Sequence, residues 1–226
     1  HINDAFAEDP LRVLRAARYA ARYLSNNEPF SIHPETKQLM RQVAPELNLM
    51  SKPRIGDEIK KAMKQAVTPS EFWRVLADVG ALAVIAPHLD KARIVPAGPD
   101  KLHREANTFE HSMMVLEQMH TICNEQDITG IDRVRRYITA VGHDLGKIAI
   151  AEDKGGLWSD DPPKRFGGHA EVGTAITEQF GKSLGLDQHL INCAQDTAEE
   201  HMQIHDLPTW SLEDTLKYVD KFTYTN

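Results

Sequence analysis

Apolar residues recur at steps of three and four along nearly every patterned stretch of this chain, and no window alternates apolar with polar residues long enough to make a strand. That period dictates helices, each with one face to bury, so the expected fold is all-α. The first helix is predicted from Pro10 to about Leu24. Asp9 stands where an N-cap accepts backbone N–H bonds, and Pro10 where a missing N–H is harmless. Leu11, Leu14, Ala17, Ala21 and Leu24 fall on one side of it, with Arg12, Arg15, Arg18 and Arg22 alongside. Further helices are predicted near Pro34–Ala44, Arg54–Gln65 and Pro69–Val79. After these come Thr108–Cys123 with Thr108 as N-cap, Arg133–Leu145 with Gly146 as a left-handed C-cap, His169–Leu184, Asp187–His201 and Leu212–Phe222. Ala92–Asn107, holding Pro96, Gly98 and Pro99, reads as the connection between two parts, and 154–168, with four Gly and two Pro, as a loop.

The 226 residues suffice for one large domain or two small ones, and 41% hydrophobic with 26% charged residues is ordinary globular usage. Disordered and disulfide-scaffold classes drop out. Cys123 and Cys193 lack the short spacing of a zinc knuckle or a disulfide framework, which fits a reducing cytoplasm. The longest apolar run, Val79–Ala86, falls far short of the ~18 residues of a membrane span, and no export signal opens the chain. A cytoplasmic protein with no membrane partner is expected. The chain begins with His1 rather than Met, as a fragment or processed chain would. Its net charge of −7 is unevenly spread: residues 1–75 carry +3 and residues 76–226 carry −10. The first part can face a phosphate backbone; the second repels one unless cations intervene.

Chemistry concentrates in the second part. His143-Asp144 sits at the end of a predicted helix, where neighbouring side chains can bracket one cation, and an imidazole nitrogen with a carboxylate oxygen suits a divalent first-row metal. His111, His169, the pair His201 and His205 four residues apart on one helical face, and Asp220 fall on separate predicted helices within about 110 residues of one another. Taken singly, each of His1, His33, His88, His103, His120 and His189 reads as a hydrogen-bonded core or surface histidine.

The order His111, His143-Asp144 and a later Asp resembles the HD superfamily of metal-dependent phosphohydrolases, whose members are all-α. Thr108–Leu116, His143–Lys147, Gly168-His169 and Ala198–His201 are similar to the HD domain appended to bacterial CCA-adding tRNA nucleotidyltransferases. Ala5–Tyr19, Pro34–Thr36 and Arg54–Ile59 are similar to the neck helices of the same family. The resemblance covers nearly the whole chain. It implies a helical neck for nucleotide recognition and RNA binding over 1–95 and an HD bundle over 103–226. It implies metal ligands at His111, His143, Asp144, His169, His201 and Asp220, for Mg, Mn or Ni, with His143, Asp144 and Lys147 in the reaction. Lys147 is a candidate phosphate contact and Lys164 and Arg165 are weaker ones, a solvated surface cation being the other reading of each. Asp9 and Arg12 would read the edge of a nucleotide, and Arg15, Arg18 and Arg22 would lie on RNA.

The implied activities are 2′,3′-cyclic phosphodiesterase, 2′-nucleotidase and phosphatase, on a tRNA 3′ end or a 2′,3′-cyclic nucleotide. The nucleotide-adding head of that family carries paired carboxylates one residue apart, and this chain has no Asp-x-Asp; addition is therefore not expected from it without a separate head. Two other readings stay open: a stand-alone HD nucleotide phosphohydrolase, and a non-catalytic tRNA-binding module.

Overall fold

A computed structural model describes residues 5–25, 28–99, 104–153 and 166–221. The architecture is all-α. A short α1 (Ala5–Glu8) precedes α2 (Arg12–Arg22), which buries Val13, Leu14, Ala17, Ala20 and Ala21 along one stripe. The helix opens two residues later than predicted, because Pro10 and Leu11 form a turn in which the Asp9 carboxylate accepts from Leu11 N–H at 3.3 Å. Among the described residues the one β-pairing is antiparallel and two residues long, β1 (Leu24–Ser25) against β2 (Glu28–Pro29). Helices α3 (Pro34–Val43), α4 (Lys52–Gln65) and α5 (Pro69–Asp78) each carry Pro in the first turn. The apolar run 79–86 holds α6 (Ala81–Ile85), and α7 (Pro87–Lys91) follows it, two helices too short for periodicity to reveal.

The connection after α7 is pinned down. Val95 and Ala97 are buried, and the backbone N–H and hydroxyl of Thr108 donate to the carbonyls of Val95 and Pro96 at 2.8 and 2.9 Å. Thr108 is thereby the first residue of α8 (Thr108–Glu125), and the cap is Asn107, whose side-chain oxygen accepts from Glu110 N–H at 2.9 Å. Helix α9 (Gly130–Gly142) stops short of His143. Tight turns over His143–Leu145 lead at once into α10 (Gly146–Asp153), so Gly146 opens a helix instead of capping one. α11 (His169–Ser183), α12 (Gln188–Glu200), a 3-10 stretch over His201–Thr209 and α13 (Leu212–Lys221) complete the order.

The two parts share one apolar core running from Leu11 through Trp73 to Ala194. Helix α4 packs on α9 and α5 on α8, and the buried Trp73 ring faces Phe180 with centroids 6.4 Å apart. The turn between α11 and α12 is seated directly on α4. Gly185 there has φ +69°, and a methyl group on it would overlap the Lys52 carbonyl, while one on Gly56 would overlap the Gly185 carbonyl. The loop expected at 154–168 lies outside the described residues through 165, and Lys164 and Arg165 with it. The side chains of His205 and Asp220 are likewise outside the described ones. None of the described helices is long and apolar enough to cross a membrane.

Candidate metal centre

Each cluster histidine sits where a helix begins or ends, or on the inward face of one. His111 lies in the first turns of α8, His143 follows the last residue of α9, His169 opens α11 and His201 follows the last residue of α12. The α9–α10 break lifts Asp144 between them. This carboxylate is 3% exposed and both its oxygens are used. Oδ2 faces His111 Nε2 at 3.6 Å and His143 Nε2 at 3.3 Å, and Oδ1 faces His169 Nε2 at 3.2 Å and His201 Nε2 at 3.4 Å. The four predicted histidines and Asp144 therefore converge, as two triads that share the aspartate, the ligand atoms of each within 4.8 Å of one another.

The outer nitrogens explain why the inner ones point in. Nδ1–H of His143, His169 and His201 donates to the carbonyls of Ala140, Phe166 and Ala198 at 2.8, 2.7 and 2.9 Å, and Nδ1 of His111 meets the Glu105 carboxylate at 2.7 Å. A carbonyl accepts only, so these rings hold a proton on Nδ1 and in their neutral form turn the Nε2 lone pair inward. His169 Nε2 and His201 Nε2 are 3.1 Å apart. Two lone pairs at that separation, beside a buried carboxylate, form a set of donors that calls for a cation, and imidazole nitrogens with carboxylate oxygen fit a divalent first-row ion. Glu105 carries no periodic or spacing signal, which is why sequence reasoning missed it.

Burial alone would raise Asp144, but His143 first, and then the other imidazoles around it, hold the carboxyl well below its ordinary range. Burial works against charge on His143 too, yet Asp144 beside it raises that imidazole above its usual value. His111 goes the other way, lowered by burial and by His143. Lys147, expected to take part in the reaction, is buried, its Nζ donating to Asp144 Oδ2 at 2.8 Å and to the Ala97 carbonyl at 2.6 Å. A larger cleft of about 930 Å³ is lined by none of these residues, and its charges neutralise one another as Arg74–Glu110, Lys91–Glu152 and Arg93–Asp90.

Residues 108–223 match the HD domain family. The chain belongs to that family. Residues 29–93 of this HD protein match a second family, described as the probable RNA and SrmB-binding site of polymerase A. Over 223 residues the HD protein is 33% identical to the multifunctional CCA protein of Shewanella frigidimarina (strain NCIMB 400), an alignment covering 98% of this chain and 49% of the relative. The chain thus spans about half the length of that curated relative.

In the first part the structure corrects the picture of an open arginine face. Arg15 and Arg18 turn to the buried Glu58, at 3.5 and 3.4 Å, and Arg15 also meets Asp9 at 3.2 Å. The buried carboxylate at position 58 draws both guanidinium groups toward it, and 12% of the Arg18 side chain but 38% of the Arg15 side chain stays exposed. Arg12, 4.0 Å from Glu8, is more open, with 41% of its side chain exposed. Arg22 lies over the Tyr23 ring and Arg18 over Tyr19, and both tyrosines are exposed. These aromatics were not among the candidates, since on a helix they look like any surface tyrosine.

Proposed function

We propose that this chain is a metal-dependent phosphohydrolase acting on the phosphate at an RNA 3′ end or on the corresponding nucleotides, as a 2′,3′-cyclic phosphodiesterase, 2′-nucleotidase and phosphatase. The observation that carries the reading is one carboxylate shared by two pairs of inward-facing imidazoles. In it, His111, His143 and Asp144 hold one divalent ion and Asp144, His169 and His201 a second, with Asp220 as a further carboxylate donor. Such ions, Mg, Mn or Ni, make bound water nucleophilic near neutral pH and neutralise charge on phosphoryl oxygens.

The protein's own groups do the rest. Asp144, held ionised, joins the two sites. Glu105 and the three carbonyls fix the rings. Lys147 balances the buried carboxylate, and two of its N–H groups are already accounted for, which leaves a third to orient a phosphoryl oxygen. Residues 103–226 are the hydrolase region and 1–95 the nucleotide-recognising and RNA-contacting neck, the latter supported by the match at 29–93. The test is hydrolysis of 2′,3′-cyclic AMP by protein stripped of metal and then given Mg²⁺, Mn²⁺ or Ni²⁺. Turnover absent after stripping and restored by at least one ion is expected; turnover indifferent to chelation would overturn the reading.

For the neck, the contacts left available are Arg12, Arg22 and the exposed rings of Tyr19 and Tyr23. Stacking of a base on one aromatic is worth ~1–3 kcal/mol, so Tyr23→Ala is expected to weaken binding of a tRNA acceptor stem roughly tenfold. Wild-type affinity should fall steeply with salt. Fluorescence anisotropy across a salt series checks both, and binding that ignores ionic strength counts against RNA contact here.

A further inference from the structure

A cavity of about 450 Å³ opens between α8, α9, α12 and α13 and ends against His201. Its walls approach the metal centre by helical turns. Cys193, Thr197 and His201 follow one another at four-residue steps along α12, and Thr139 stands four residues before His143 at the end of α9. A molecule whose phosphate rests on the histidine cluster finds here the adjoining space for the next part of its body. The size falls within the ~300–1,000 Å³ usual for small-molecule sites.

The chemistry of the walls narrows what fits. Met119 supplies apolar surface, and Tyr218 offers its ring, since its hydroxyl donates to the Glu200 carbonyl at 3.2 Å. The hydroxyls of Thr139 and Thr197 donate to the carbonyls of Arg136 and Cys193 at 2.8 and 2.9 Å, so toward a ligand they present acceptor lone pairs. Arg136 contributes the opposite need: its Nε is buried with no hydrogen-bond partner among the described residues. Buried donors in that state call for an acceptor. A flat body carrying an acceptor and a donor side by side on its edge satisfies all of these groups together, and that is the edge of a nucleobase.

We infer that this cavity is a nucleobase subsite, filled by the base of the nucleotide whose phosphate lies at the metal centre; the inference rests on the phosphohydrolase reading. Arg136 donates to the base, Thr139 and Thr197 accept from it, and Tyr218 covers its face. The base belongs either to a free 2′,3′-cyclic nucleotide or to the last residue of an RNA strand.

Two measurements test this. First, metal-free protein is titrated with adenosine and cytidine, which carry no phosphate, following Trp fluorescence; the Trp210 ring lies 4.9 Å from that of Tyr218. Wild type is expected to bind and Arg136→Ala to bind at least tenfold more weakly. Arg136→Lys, which keeps the charge and removes Nε, should share the defect and stands in if the alanine variant fails to fold.

Second, kcat/KM is compared for 2′,3′-cyclic AMP and for 1,2-cyclic glycerol phosphate, which has no base. The ratio should fall at least tenfold in the variants. An unchanged ratio together with unchanged nucleoside affinity overturns the subsite. If wild type hydrolyses neither ester while nucleoside binding still depends on Arg136, the hydrolase reading fails and the subsite stands. Repeating the comparison on a short RNA ending in a 2′,3′-cyclic phosphate separates the sources: an equal loss places the RNA terminus in the cavity, and a loss confined to the mononucleotide places the free nucleotide there.

Discussion

Replacing Asp144 by Asn is expected to lower hydrolysis of 2′,3′-cyclic AMP on the order of 10³-fold and to abolish Mn²⁺ binding by calorimetry. Metal-assisted charge stabilisation is worth several kcal/mol of transition-state energy, and ~4 kcal/mol converts to that factor. Asparagine keeps the shape but replaces one of the two oxygens that face the histidine pairs with an NH₂ group, so at least one pair loses its carboxylate oxygen. A His111→Ala or His201→Ala change touches one pair alone and should be milder.

The same substitution strands Lys147. Its ammonium is buried against Asp144 Oδ2 and the Ala97 carbonyl, and removing one partner of a buried ion pair costs about 3–5 kcal/mol. Metal-free Asp144→Asn should therefore melt well below metal-free wild type. Adding Lys147→Met should recover most of that stability and none of the metal binding. Hydrolysis by Asp144→Asn within threefold of wild type would sink the shared-carboxylate reading.

Gly146→Ala should be nearly as damaging, though residue 146 offers no ligand atom of its own. A methyl group there would overlap the His169 carbonyl oxygen and come within 2.8 Å of the Gly173 Cα. These are backbone atoms and cannot turn aside, so α10 has to move off the start of α11. Overpacking of this kind costs about 3 kcal/mol, a fall of roughly 6–12 °C in Tm for a chain this size. It also separates Asp144 from His169, and ligand misplacement of that order lowers metal affinity ~10–100-fold. Gly167→Ala is the control, with nothing within 4 Å of the added carbon and an expected change within about 0.5 kcal/mol. Equal melting temperatures for the two variants would mean that α10 and α11 do not need their close contact.

Most of the helices, and the His and Asp positions that the structure brings together, were readable because the signals are local or chemically rare. Period-3.6 stripes on α2, α4, α9 and α12 mark helices in the letters themselves. Five His and Asp positions on four helices stand out against ordinary surface usage. The misses have a common cause, which is that tertiary contact decides them. Gly146 reads as a helix stop, and only the approach of α11 turns it into a start. Lys147 reads as a solvated cation until the Ala97 carbonyl, fifty residues away in sequence, is seen beside it. Arg15 and Arg18 read as an open face because nothing in the letters says that Glu58 is buried. Glu105 sits in an irregular segment with no pattern to mark it.

The unbroken apolar interior has a consequence for anyone who would divide this molecule. The proposed function assigns different tasks to the stretches on either side of residues 92–107, yet Trp73 meets Phe180 and Gly185 rests on the Lys52 backbone. Cutting the polypeptide there would bare complementary greasy surfaces on both halves. Neither half is then expected to be a self-sufficient cooperative unit, and denaturation of the intact chain should register as a single event rather than two.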